Sequence, residues 1–302
     1  SNDMPGALVF STTPDGSSTP GSSNERLRLD SSGRVLIGTN SSRGGNFNNS
    51  SGVDAQFQLE GTSFITAFAN IVRNSNDANP AGFAISKSRG TSAGSNVVLQ
   101  NNDIIGEFAF QGSDGSKMVS AADIECQIDG TPGSADMPGR LIFSTNAGGT
   151  GTTERLRINS LGTFDFTNGA LIEEVEVTSG KLSDNTNINL DNGMVFLFTT
   201  QETTTSTPNI RINSSNTLDA AMSNGKVISL TIMTTAAAAG YFTTVTIDGN
   251  ANGQNSYTLN VDWLGGSAPS DGGSSGIDVY NITIIKQSSK NFNILIAQNN
   301  YA

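Results

Sequence analysis

"DMPGRLIFST", residues 136–145, decides how the rest of the chain is read, because residues 3–12 repeat it with two substitutions as "DMPGALVFST", 133 positions earlier (136 minus 3). Each copy leads through a polar loop into a second matched stretch, "ERLRLDSSGRVLIG" at 25–38 and "ERLRINSLGTFDF" at 154–166. The loops, "TPDGSSTPGSSN" (13–24) and "NAGGTGTT" (146–153), differ by four residues (12 minus 8), a change of the sort that a surface hairpin tolerates. Leu27 and Leu29, like Leu156 and Ile158, alternate with arginine. Period two predicts a strand with one buried face.

Between the copies, "AQFQLEG" (55–61), "FITAFANIVR" (64–73), "AGFAISKSRG" (81–90), "NVVLQ" (96–100), "IIGEFAFQGSDG" (104–115) and "KMVSAADIECQIDG" (117–130) each combine apolar or alternating residues with a turn-rich flank. Short strands at regular spacing predict an all-β array in which one unit cannot bury its own face.

Composition supports that reading. Of 302 residues only 14% are charged, while 34 are glycine; disorder needs low hydrophobicity together with high charge. The net charge of −11 divides as −5 over residues 1–170 (11 basic, 16 acidic) and −6 over 171–302 (5 basic, 11 acidic). No basic face is left for phosphates, which argues against nucleic acid as a partner. Cys126 is alone and histidine is absent, which excludes an intrachain disulfide, His-ligated metals and the usual His-based nucleophile systems. The longest notable apolar run, "MVFLF" at 194–198, falls far short of the ~18 residues that suggest a membrane-spanning helix, and no basic-then-apolar signal peptide opens the chain. It opens instead with "SND", inside the repeated motif, as a piece of something longer would.

The phrases "SRGT" (88–91), "GEFAFQGSDG" (106–115), "DGTPGSADMPGRLIFST" (129–145) and "ERLRI" (154–158), continuous over 82–162, resemble the shaft-type module of bacteriophage tail fibres and related virion fibres. The resemblance implies that the two copies are successive shaft units, with 1–39 the end of a preceding repeat, 40–52 a linker, 53–166 a complete repeat and 167–182 a connecting strand.

Beyond Asn168 the character changes. "GMVFLFTT", "NIRINSS", "GKVISLTIMTT", "YFTTVTIDG", "SYTLNVDWLGG", "IDVYNITIIK" and "FNILIAQ" follow the connecting segment "NGALIEEVEVTSGKL". Alternation puts Tyr257, Leu259, Val261 and Trp263 on one face and Thr258, Asn260 and Asp262 on the other; Phe292, Ile294 and Ile296 repeat it. One short helix is expected at "TLDAAMSNG", with Asn216 as N-cap and Gly225 just past its end. About eight strands and one helical turn predict a jelly-roll-like β-sandwich over 183–302. "NGALIEEVEV", "AAMSNGKVISLTIMTT", "WLGGSAPSDGG" and the ending "FNILIAQNNYA" are similar to a C-terminal module of structural proteins of marine phages, cyanophages above all. The ending resembles a natural C-terminus, without the self-cleaving intramolecular chaperone of some fibres.

The residues offer three candidate chemistries. Trp263, with Asp262 and Asp271 near it and Tyr257 or Tyr280 at the rim, could stack on a sugar and bind its hydroxyls; the plainer alternative is a core tryptophan sharing the face of Val261 and Leu259, which the alternation favours. "DGNANGQNSYTL" (248–259) sets Asp248, Asn250 and Asn252 at the first ligand positions of a calcium loop, but Leu259 stands where the bidentate Glu belongs. The weak metal motif therefore reads better as a polar hairpin. A glycan-cleaving fibre needs two carboxylates about 5 to 9.5 Å apart; outside the "EEVE" cluster (173–176) the second half offers Glu202 and scattered Asp.

The expectation is therefore a non-enzymatic, cofactor-free, homotrimeric fibre of the virion. An upstream region would join it to other virion proteins, and the C-terminal loops 201–209, 248–255 and 265–276, small and polar, would meet a neutral or weakly charged host-surface glycan. The alternatives are a polysaccharide-degrading tailspike-like enzyme and a purely structural capsid or neck fibre.

Overall fold

The computed structural model describes residues 5–13, 25–43 and 54–302. Asp3, Met4, nearly all of the first copy's loop and most of the expected linker lie outside them. The chain divides into two compact units, 1–170 and 171–302, and the regular secondary structure of both is almost all strand, as expected.

In the first unit β1 (Leu8–Ser11), β2 (Glu25–Leu29), β3 (Val35–Ile37) and β4 (Phe57–Leu59) form one sheet. β5 (Ile104–Ser113), β6 (Met118–Ile128), β7 (Gly139–Thr145), β8 (Thr153–Ile158) and β9 (Phe164–Phe166) form a second, in sequence order. The repeat is legible atom by atom. Leu8 faces Leu29 and Phe10 faces Leu27; Leu141 faces Ile158 and Phe143 faces Leu156. The register slips at the same place in both, between Phe10 and Ser11 and between Phe143 and Ser144. Arg26 donates to Thr12 Oγ1 at 2.9 Å, and Arg155 to Thr145 Oγ1 at 3.0 Å. Arg28 and Arg157 clamp Glu25 and Glu154 two-pronged, three residues back.

The tight turns agree as well. Asp30 Oδ1 accepts from Ser32 and Arg34 N–H, and Asn159 Oδ1 accepts from Leu161 and Thr163 N–H. Asp and Asn interchange because the turn asks only for that one acceptor. Gly33 and Gly162 complete it at φ +78° and +81°.

Three expected strands do not form. Residues 64–67 make a single 3-10 turn, and 68–73, 81–90 and 96–100 carry no ladder. A strand is completed by a neighbour's ladder, and among the described residues these segments have none; 81–90 and 96–100 are joined by Arg89 N–H to Val97 O (3.2 Å) and by the Ser88 hydroxyl, and most of the side chains stay uncovered, Phe64 being 83% exposed and Phe83 72%. The alternating faces of β2 and β8 are likewise only partly covered, with Leu29 exposed and Leu27, Leu156 and Ile158 half-buried. Among the described residues the buried hydrophobic side chains of this unit are Leu36, Leu99, Ile128 and Ile142.

The second unit is a two-layer sandwich with connections unlike a jelly roll's. β10 (Val175–Thr178), β12 (Val195–Gln201) and β14 (Val227–Thr235) lie parallel in a six-stranded sheet, ordered β10-β12-β14-β17-β18-β16. Alternating with them along the chain, the short strands β11 (Asn187–Asn189), β13 (Asn209–Arg211) and β15 (Thr246–Ile247) stack parallel in a second sheet. The chain thus winds three parallel coils, where a jelly roll would pair antiparallel strands throughout. The hairpin β17 (Ile277–Ser288) and β18 (Asn291–Tyr301) then pairs antiparallel with β14, and β16 (Thr258–Trp263) adds parallel to β18. β10, expected as part of a connector, belongs to this sheet.

Ile188, Ile210 and Ile247 stand in register, one per coil, all 1% exposed or less. They pack in one core with Phe196, Phe198, Ile232, Tyr280, Phe292 and Ile294. On the outer edge Asn209 donates to Asn187 (2.8 Å) and accepts from Thr246 (3.2 Å), a polar ladder across the coils. The helix forms one residue later than expected: α1 (Leu218–Ala221) takes Thr217 as N-cap, its hydroxyl accepting from Ala220 N–H. Asn216 is instead held in a turn by Asn213 Oδ1, and Gly225 serves the turn into β14.

Gly33→Ala and Gly162→Ala should each lower stability by about 1 kcal/mol, and by equal amounts. No atom lies within 4 Å of either added Cβ, so the left-handed backbone alone opposes the change. Chemical denaturation of the two variants checks this, and unequal losses would break the equivalence of the copies.

Candidate functional site

The residues expected around a ligand separate into two groups. β16 alternates as the sequence suggests: Tyr257 and Leu259 are buried, Val261 and Trp263 half-buried, and Thr258, Asn260 and Asp262 exposed. Tyr257 does not reach the rim. Its ring stacks on Phe292 (6.4 Å, 11° between planes), Lys290 Nζ lies 5.5 Å from its centre, and its hydroxyl donates to Asp248 Oδ2 at 3.1 Å. Burial, reinforced by the Asp248 charge, pushes its phenol pKa up. Tyr280 is fully buried on β17, 4.2 Å from Phe242. Both tyrosines belong to the core because their positions fall on the inward phase of their strands, beside Leu259 and Ile282. Neither is available to a ligand at the rim, where the sequence placed them.

Asp248, Asn250 and Asn252 are engaged within the fold. Asp248 sits at φ +53°, and its carboxylate accepts from Leu218 N–H (2.6 Å), Asp219 N–H (3.1 Å) and Tyr257, closing the start of α1 from a distant loop. Asn250 Oδ1 accepts from Asn255, and Asn252 Oδ1 from Leu259 N–H. The broken calcium motif is thus a hydrogen-bonded hairpin, with its acceptors turned to the protein. The 201–209 loop is also tied down, since Glu202 is buried and Ser206 N–H reaches Tyr241 O.

Asp262 and Trp263 remain at the surface. With Leu264, Asn281, Thr283 and Leu295 they line a shallow depression of about 360 Å³ on the outer face of the six-stranded sheet. Asp262, Leu295 and Thr283 stand in one cross-strand row, and Thr283 Oγ1 shares a hydrogen bond with Ser229 (3.2 Å). Trp263 packs on Phe242 (5.8 Å) and donates its indole N–H to Thr243 O (3.0 Å), so it is a core-anchored tryptophan with one part showing. Leu264, at the lip, is 78% exposed. Asp271 is exposed in the 265–276 loop and does not line the depression.

Asn281, Thr283 and Leu295 escaped sequence reasoning. The signal was present in "IDVYNITIIK": the outward phase carries Asn281 and Thr283 between inward Tyr280, Ile282 and Ile284.

No protein-family model and no curated protein matches this sequence. Among solved structures it is similar to the carboxy-terminal domain of the bacteriophage T5 L-shaped tail fibre: 15% identity, 57% of this chain and 70% of that one, TM-score 0.39. It is similar also to that domain with its intra-molecular chaperone domain: 14% identity, 57% of this chain and 48% of that one, TM-score 0.41. No residue role passes from either to this chain.

Asp248→Ala should destabilise the protein by about 2 kcal/mol, because it leaves two helix-start N–H groups and a buried phenol without their acceptor. Urea unfolding measures it.

Proposed function

We propose that the chain is a structural fibre of a phage virion, a tail fibre of the marine-phage type, working as a homotrimer and meeting the host through its second unit. The observation that carries the reading is the combination of a repeated module with an unfinished core. The first unit reproduces one hairpin down to its bulge and its arginine clamps, yet leaves Phe64, Ile65, Phe68, Phe83, Phe108 and Phe110 exposed. Apolar surface on that scale is covered in working proteins, and extended segments need ladder partners. A repeated module whose missing strands are supplied by identical chains satisfies both needs, and repetition along an axis makes a shaft.

The second unit supplies its own core and is the part suited to present a surface. Its depression sets the edge of an aromatic ring and the apolar Leu295 beside the polar Asp262, Asn281 and Thr283, the mixture that a neutral carbohydrate with one apolar face would require. Asp262 is the one carboxylate lining it, whereas glycoside hydrolysis uses two across the scissile bond. Binding without cleavage follows.

Light scattering at micromolar protein should return three times the 31.3 kDa chain mass; a monomer would sink the fibre reading. Saturating protein should block adsorption of the cognate phage to its host, and Asp262→Ala should weaken that competition about tenfold, the loss of one charge-assisted hydrogen bond, at unchanged melting temperature. Undiminished adsorption in the presence of the parent protein would remove the receptor role.

A further inference from the structure

Two carboxylates inside the second unit have no cation beside them. Glu202, 3% exposed, and Asp278, 0% exposed, are each without an ion pair to any described residue. Both are fixed by N–H donors. Glu202, just past β12, accepts from Leu182 and Ser183 N–H. Asp278, on β17, accepts from Gly273 N–H (2.9 Å) and Asn300 Nδ2 (3.2 Å). These donors fix both carboxylates in place and supply no formal positive charge beside either.

Oxygen atoms gather between them. A Cβ on Gly272 would lie 2.3 Å from Ala237 O, 3.0 Å from Asp278 Oδ2 and 3.1 Å from Gly240 O, so three oxygens converge on one volume. A Cβ on Gly240 would lie 2.1 Å from Glu202 Cβ and 3.2 Å from the same Ala237 O. Ala237 O thus stands near Asp278 Oδ2 and near the base of the Glu202 side chain.

Two buried hydroxyls on the same inner face as Asp278 have no partner. Thr234 stands directly opposite Asp278 across β14 and β17, and Tyr280 lies two residues on, with its side chain on the same inner face. Thr234 Oγ1 and Tyr280 Oη are buried and make no hydrogen bond, on residues 1% and 0% exposed.

Buried unpaired charge costs several kcal/mol per ion, and buried charges are normally paired or bind metal. A bridging water would satisfy the hydroxyls and leave the charge. The donors are carboxylate, carbonyl and hydroxyl oxygens, with no nitrogen or sulfur among them, which selects a hard cation. Backbone carbonyls in an irregular cage suit the six to eight flexible ligands of calcium better than the strict octahedron of magnesium. We infer that Glu202 and Asp278, with the carbonyls of Ala237 and Gly240 and the hydroxyls of Thr234 and Tyr280, hold a calcium ion. The ion would tie the end of β12 to the 237–240 and 272–273 loops and, through Asn300, to the last strand.

The test uses the full chain after chelation. Equilibrium dialysis against radioactive calcium should show one ion bound per chain, and the melting temperature should rise saturably with calcium and much less with magnesium. Glu202→Gln and Asp278→Asn should each lose at least tenfold in affinity, while Asp248→Asn, in the hairpin that resembles a calcium loop, should keep it. If neither carboxylate variant folds, Tyr280→Phe decides. Reduced affinity there supports the site, and affinity equal to the parent's places the ion elsewhere and overturns the assignment. Absence of bound calcium at millimolar concentration, with an unmoved melting temperature, overturns it outright.

Discussion

The second unit depends on the vertical stacking of Ile188, Ile210 and Ile247. These residues are the inner surface of strands only two or three residues long, too short to hold a sheet by backbone pairing alone. Their register fixes where each coil turns, and so where Phe196 and Phe198 on β12 and Ile232 on β14 meet them across the core. A shift of one residue in any coil would turn its isoleucine outward and bring a polar neighbour inward: an asparagine or arginine in the first two coils, Thr246 or Asp248 in the third. The ladder of Asn187, Asn209 and Thr246 on the opposite phase opposes the same slip, since its bonds exist in one alignment only. Everything later in the chain is laid against this stack. The β17–β18 hairpin pairs with β14, and β16 closes the far side.

The first unit is governed by a different balance. Its hairpins are specified locally, by a bulge, a two-pronged arginine–glutamate pair and an Asx turn, so that each module can form in the same way wherever it occurs in the chain. Local specification is not burial, however. Four described buried hydrophobic side chains in the first unit stand against twenty-one in the second, although the first is the longer of the two.

Strands with clean alternation were legible in the sequence: β16, β17 and β18 lie where the period-two pattern puts them, β7 to β9 where the repeat does, and β5 and β6 within the apolar segments 104–115 and 117–130. The three-residue strands β11 and β13 were harder, because no alternation can be read over three residues; the signal was the recurrence of "NIN" at 187–189 as "NIR" at 209–211. Segments 64–73, 81–90 and 96–100 looked like strands and are not, because composition states a preference that only a neighbouring strand can fulfil. The helix cap moved by one residue because Asn213 already holds Asn216. At the candidate site, Trp263 and Asp262 were placed correctly by phase. Tyr257 and Tyr280, expected at a rim, are buried on the inward phase of the alternation that the sequence itself shows. Glu202 and Asp278, which the proposed calcium ion would bring together, stand 76 positions apart (278 minus 202), and nothing local in the sequence announces the link.

The placement of aromatic residues has an optical consequence. All four tyrosines (Tyr241, Tyr257, Tyr280 and Tyr301) and the single tryptophan lie in the second unit, while the first carries only phenylalanine as an aromatic chromophore. Absorbance at 280 nm, near-ultraviolet dichroism and intrinsic emission therefore belong to one half of the molecule. A melt followed at those wavelengths is a melt of the sandwich, and the repeated half must be watched through its peptide bands in the far ultraviolet. Two curves that separate would be two units unfolding, each under its own spectroscopic label, without any label having been added.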